Sequence, residues 1–179
     1  ASKMRRAQAA ALAARPYAQK MREVLADLAA QPEDGLHPLL ERRAVSRIGI
    51  IHITPDRGLC GGLNTNINRH TGSFLLAQGV PVTLITVGRK GRDFFARYRR
   101  DIRAEFTKIG DRPSLADTLP ISRIAVEDYT NGLVDQVYLA YAEFVSTMVQ
   151  RPVLQELLPI EAAKIARIEN VEYIYEPDP

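Results

Sequence analysis

Over residues 2–30 the apolar seam positions are Met4, Ala7, Ala11, Ala14, Ala18, Met21, Leu25 and Leu28, spaced alternately three and four apart. That interval is the heptad repeat of a coiled coil, narrower than the stripe with which a helix buries itself on a globular core. The residues between are mostly Ala, Leu, Arg and Lys, all good helix formers, so the spacing predicts one long helix. Alanine along the seam lets a partner backbone come close but supplies little apolar area, so such a helix does not hold its shape alone. Pro16 lacks an amide donor and crowds the preceding turn, which predicts a bend. No second heptad segment follows in this sequence. The partner is then another chain or a part of the protein outside this sequence; the alternative is a helix lying on its own domain.

The 179 residues, 46% of them hydrophobic, suffice for one domain with a real core. No stretch approaches the roughly 18 uninterrupted apolar residues of a membrane span. Cys60 is the sole cysteine, which excludes an internal disulfide framework and a four-thiolate metal site. No secretory or transit segment is visible, which favours an intracellular setting; an opening at Ala1 rather than Met suggests a longer N-terminus. The net charge of +3 is unevenly placed. Lys3, Arg5, Arg6, Arg15, Lys20 and Arg22 face only Glu23 and Asp27 in the first thirty residues. A second basic run comprises Arg89, Lys90, Arg92, Arg97, Arg99, Arg100, Arg103 and Lys108. Such runs mark either contact with nucleic acid or membrane, or solvated helix faces. For nucleic acid, the stacking aromatics are sparse beyond Phe94, Phe95, Tyr98 and Phe106, and no recognition motif is present.

From Val45 the pattern changes to short apolar runs separated by helical stretches. Ile48–Ile53 and Val80–Val87 read as buried strands, with a covering helix over 64–78 between them. A helix over Arg89–Arg99 and a weaker strand near Ala104–Ile109 follow. Pro120–Asn131 is expected as a helix, with Pro120 at its start and Gly132 at its end. Val134–Val145 is open between helix and strand, and its β-branched and aromatic residues argue for a strand. Arg167–Tyr175 reads as the last strand, antiparallel to it through a short connection at Leu157–Ala163. Alternation of strand and helix predicts parallel pairing with helices on both faces.

The most informative segment is Ile53–Asn66, at the junction of a strand and a helix, with glycines at 58, 61 and 62. Such a turn can expose amides at a helix N-terminus as an anion cradle, or can simply pack tightly. It fits neither the phosphate-binding P-loop, since no Lys–Ser/Thr follows, nor the dinucleotide glycine pattern. No acidic residue closes the next strand, where Gly88 and Arg89 follow Val87. Cys60 at a helix N-terminus could be a nucleophile, but His37, His52 and His70 form no recognisable pattern with it.

The string Asp56, Arg57, Gly58, Leu59, Cys60, Gly61, Gly62, Leu63, Asn64 closely resembles a landmark of the gamma-subunit family of F-type rotary ATP synthases. So do the opening Ala1–Arg6, Arg15–Tyr17, Gly88–Gly91, Leu157–Pro159 and Tyr175–Pro179, in the family's order across essentially the whole chain. The resemblance implies a long antiparallel coiled coil of N- and C-terminal helices joined to a central α/β domain. It implies a non-catalytic central rotor stalk that couples proton or sodium ion flow to ATP synthesis or hydrolysis. The implied partners are the alpha and beta subunits of the catalytic head, the epsilon subunit and the membrane rotor ring. The implied location is peripheral, at the cytoplasmic face of the bacterial inner membrane. No cofactor, metal, nucleic acid or transmembrane segment of its own is implied.

On this basis the fold expected is a three-layer α/β/α, Rossmann-like domain with a mostly parallel sheet, plus the N-terminal coiled-coil helix. Residues 1–30 are that helix, 31–44 a linker and 45–179 the central domain. The chain looks like a truncation that enters midway along the first helix and stops before the second. By family carry-over, Ala7, Ala11, Ala14 and Ala18 pack against the absent helix. Lys3, Arg5, Arg6 and Arg15 face outward, and Gly58, Gly61 and Gly62 shape the turn. The regulatory cysteine pair of chloroplast members is unsupported, since Cys60 stands alone. The competing expectation is a nucleotide- or phosphate-binding α/β enzyme using the turn at 58–63.

Overall fold

The computed structural model describes residues 2–30, 38–110, 113–146 and 148–160. The chain divides into two compact units, one holding the N-terminal helix and the other spanning His37–Pro159. In the first, α1 runs Ser2–Ala30 with Pro16 inside it, the extent that the seam predicts.

The second unit opens with a 3-10 turn at Pro38–Leu40 and then alternates strand and helix. The elements are β1 (Ile48–Ile53), α2 (Leu63–Ala77), β2 (Val82–Val87), α3 (Arg89–Arg97), β3 (Ile102–Phe106), α4 (Leu115–Thr130), β4 (Gln136–Phe144) and β5 (Gln150–Leu158). They build one five-stranded sheet of order β3-β2-β1-β4-β5. The β1–β2, β1–β4 and β2–β3 pairs are parallel, and only β4–β5 is antiparallel. This is the mostly parallel α/β sheet expected.

Central β1 and β2 are buried at nearly every position because both faces are covered, which is why they read as unbroken apolar runs. On one face Ile48, Ile50, Leu84 and Ala140 pack with Ile67 and Leu75 of α2 and Phe95 of α3. On the other, Gly49, Thr83, Ile85 and Val137 meet Ala125 and Asp128 of α4. Full burial of each large side chain contributes about 1.5–3 kcal/mol before chain entropy is counted.

Two expectations are corrected. Helix α4 starts at Leu115 rather than Pro120, because Ser114 and Asp117 form a capping box. The Asp117 carboxylate accepts from the Ser114 amide and hydroxyl, each at 2.7 Å. Pro120 lies inside the helix and forfeits one ladder bond. The expected end holds: Gly132, with φ +73°, follows the last turn.

The strand that closes the sheet against β4 is Gln150–Leu158, so Leu157 and Leu158 are strand rather than connection. The turn is the short segment after Phe144. Pro152 and the polar residues around it conceal this strand in the sequence. At a sheet edge a missing amide on the open side costs no ladder bond. The expected strand at 167–175 lies outside the described residues. The Leu158–Pro159 peptide is cis.

Candidate functional site

The strand-to-helix turn and the segment Gly88–Gly91 sit together where β1 and β2 end. Parallel strands put their C-terminal ends on one edge, so the loops after them are neighbours. Asp56 joins these loops: its Oδ1 accepts from the Arg89 amide at 2.8 Å and its Oδ2 from the Lys108 amide at 2.7 Å. The Arg89 guanidinium in turn donates to the Asp56 carbonyl at 3.2 and 3.3 Å. One carboxylate thus ties the ends of β1, β2 and β3.

Close approach explains the glycines after β2. A Cβ on Gly88, at φ +98°, would stand 1.8 Å from the Thr54 carbonyl oxygen, and one on Gly91 would stand 2.5 Å from His52 Cδ2. The contact is sealed by the Gly91 amide, which donates to Thr54 Oγ1 at 2.8 Å. In the turn itself, Gly61 has open space around it and is there for its φ of +58°. Leu59 also has positive φ, +59°, and its side chain is fully exposed.

Beneath the turn lies His52, fully buried. Its Nε2 is 2.8 Å from Asn68 Oδ1 and its Nδ1 3.1 Å from Thr71 Oγ1. Asn68 spends its amide on the Lys90 carbonyl, which leaves Oδ1 as acceptor and assigns the ring proton to Nε2. Thr71 then donates to Nδ1. The ring meets Phe95 edge-on at 4.9 Å. Burial is the main influence and lowers its pKa to about 4, so the neutral ring is the one the site holds. His52 is therefore a polar pin in the core, with both ring nitrogens engaged.

Cys60 is half-buried, and its Sγ accepts from Asn64 Nδ2 at 3.0 Å. His52 is committed to Asn68 and Thr71 rather than to the thiol. The Asn64 amide also reaches the Arg57 carbonyl at 3.3 Å, while Asn64 Oδ1 is buried with no partner among the described residues. Among the described residues no group of three or more His, Cys, Asp or Glu could hold a metal ion.

The basic run is partly committed. Arg92 pairs with Asp93 at 2.8 Å and Glu105 at 3.7 Å, and the Asp93 hydrogen bond leads in raising its pKa. Arg103 makes a two-pronged contact with buried Asp128, at 3.2 and 3.3 Å, which ties edge strand β3 to α4.

Residues 41–47 have no regular structure, yet they are latched to α4 and β4. Arg43 lies 4.6 Å over the Tyr129 ring and donates to the Tyr129 carbonyl at 2.5 Å. The Tyr129 hydroxyl donates back to the Glu41 carbonyl. Asp135 Oδ2 accepts from the Ser46 hydroxyl at 2.6 Å, its amide at 2.8 Å and the Arg47 amide at 3.1 Å. The Ser46 hydroxyl is the main reason its carboxyl sits below the usual range. The sequence reading missed this latch: its partners lie more than 80 positions apart, as Ser46 and Asp135 do, and no local spacing links them.

Of the seam residues, Ala7, Ala11, Ala14, Ala18 and Met21 are exposed. The side chains of Met4, Leu25 and Leu28 lie outside the described residues. The motif residues 56–64 are contiguous at the turn, and Asp56, Cys60 and Asn64 use their side chains for hydrogen bonds there.

A family model described as ATP synthase matches residues 1–179, the whole chain. The chain is 56% identical over 180 residues to the ATP synthase gamma chain of Dehalococcoides mccartyi strain CBDB1, covering 99% of this chain and 63% of that relative. It is 50% identical over 177 residues to the ATP synthase gamma chain of Desulfitobacterium hafniense, covering 62% of that relative. The chain thus spans less than two thirds of these relatives' lengths. In fold it is similar to a chain of the Tetrahymena thermophila mitochondrial ATP synthase central stalk and c-ring structure. There the TM-score is 0.66 at 22% identity, covering 99% of this chain and 75% of that one.

Proposed function

The chain belongs to the ATP synthase family, among its gamma chains, and from that premise we propose that it is the central rotor-stalk subunit of such a complex. It couples ion flow through the membrane sector to ATP synthesis or hydrolysis in the head, and performs no catalysis itself. Its partners on this reading are the alpha and beta subunits, the epsilon subunit and the rotor ring. It works as a peripheral member of a membrane complex, at the cytoplasmic face of a bacterial inner membrane. Among the described residues no helix is long and apolar enough to cross a membrane.

The observation that carries this reading is the match of one family along the entire chain. The physical counterpart is a 29-residue helix whose alanine seam is exposed in this chain. Ala7, Ala11, Ala14 and Ala18 pack against the companion helix on this reading, since alanine permits close backbone approach. The turn at Asp56–Asn64 is a rigid surface feature of the rotor domain, held by Asp56 rather than built to bind a ligand.

The test is reconstitution. Full-length protein, carrying both terminal helices, is mixed with head subunits and passed over a sizing column. Co-elution with alpha and beta subunits is expected; elution apart from them under conditions where the head itself assembles rejects the proposal.

A further inference from the structure

Helices α3 and α4 end in the same backbone figure with different residues in it. After α4 the left-handed position is Gly132, whose amide bonds to the Tyr129 carbonyl at 3.1 Å while the Leu133 amide bonds to the Asp128 carbonyl at 2.8 Å. After α3 the equivalent bonds run from Arg99 to Ala96 and from Arg100 to Phe95, both 3.0 Å. The left-handed residue there is Arg99, at φ +52°. A side chain in this conformation crowds the neighbouring carbonyl, which is why glycine dominates the position.

The local fold gives Arg99 nothing in return. Among the described residues its side chain enters no ion pair, and neither do those of Arg97, Arg100 or the adjacent Asp101. All four are exposed. Tyr98, between the arginines, is 60% exposed and rests on the Phe94 ring at 4.9 Å. Arg97 in the last turn complements the helix dipole, but Arg99 and Arg100 lie beyond that turn. The corner stands where β3 begins, at the opposite edge of the sheet from the glycine turn.

We propose that Arg97–Arg100 is a docking site for a carboxylate-rich segment of a partner protein. Planar guanidinium forks match carboxylates two bonds at a time. Arginine beside exposed tyrosine is the composition of interface anchors. A lipid surface fits less well, because the cluster is small and the apolar residues of α3, Phe94 and Phe95, are committed to the core. The proposal goes beyond the rotor-stalk reading, and its test does not depend on it.

The test uses the full-length protein and a fluorescein-labelled octaglutamate peptide, with anisotropy read at low and at physiological salt. Vesicles of phosphatidylglycerol and phosphatidylcholine form the second arm. Arg99→Gly is expected to weaken peptide binding about two- to fivefold at low salt. The same change is expected to raise Tm by about 2 °C, since strain is relieved. The triple variant R97Q/R99G/R100Q is expected to lose about tenfold or more. Arg69→Gln, an exposed arginine of α2, controls for net charge and should change nothing. Unchanged binding by R99G, an equal loss in R69Q, a lower Tm for R99G, or preference for the vesicles would each overturn the proposal.

Discussion

His52 is neutral in the folded chain until about pH 4, against an ordinary value of 6.5. Between those limits the unfolded chain binds a proton that the folded chain refuses, so stability falls as pH falls through this window. The loss is about 3 kcal/mol in all. Urea unfolding at stepped pH should show the slope, and His52→Gln should flatten it while lowering stability near neutrality by about 1–3 kcal/mol. The depressed Asp135 carboxyl acts lower on the scale: its contribution is present above the ordinary carboxylate range and fades as pH falls through its own depressed value. Two glycines give a sharper contrast. Gly88→Ala drives a Cβ to within 1.8 Å of the Thr54 carbonyl oxygen, and a loss of about 3 kcal/mol or more is expected. Gly61→Ala meets no atom within 4 Å, so only the left-handed backbone costs, about 1 kcal/mol. Thermal melts that rank these two the other way would refute this account of the glycines.

At the scale of elements, the boundaries follow from particular side chains. The capping box of Ser114 and Asp117 sets the start of α4, so Ser114→Ala should cost about 1 kcal/mol in chemical denaturation. Asp56 does comparable work for loops. Asp56→Ala removes the acceptor for two backbone amides and is expected to cost about 1–3 kcal/mol, with faster amide exchange at Arg89 and Lys108. Protection unchanged at both amides would show that the carboxylate ties nothing. Strands β1 and β2 were legible because a run of apolar residues is what a doubly covered parallel strand needs. Strand β5 was not, because Pro152 reads as a breaker and its harmlessness depends on the strand lying at an edge. The start of α4 was misread because Pro120 is a familiar opening residue, while Ser114 and Asp117 say more when read as a pair. In the motif, the turn and its glycines were visible. The partners of Asp56 were not, since Lys108 is 52 positions away.

At the scale of the whole molecule, three sets of ties hold the α/β domain against deformation. Its C-terminal edge is tied by Asp56, its core is pinned by His52, and the segment entering β1 is latched through Arg43, Tyr129 and Asp135. On the proposed rotor-stalk reading, such a body suits a part that turns as one piece, and a companion helix closes the exposed seam of α1. The most direct test is rotation itself. Full-length protein is assembled with an immobilised head, a bead is attached to the α/β domain, and ATP is added. The account expects the bead to turn steadily in one direction and to stop when ATP is withdrawn; a head that hydrolyses ATP in the assembled complex while the bead stays still would contradict it.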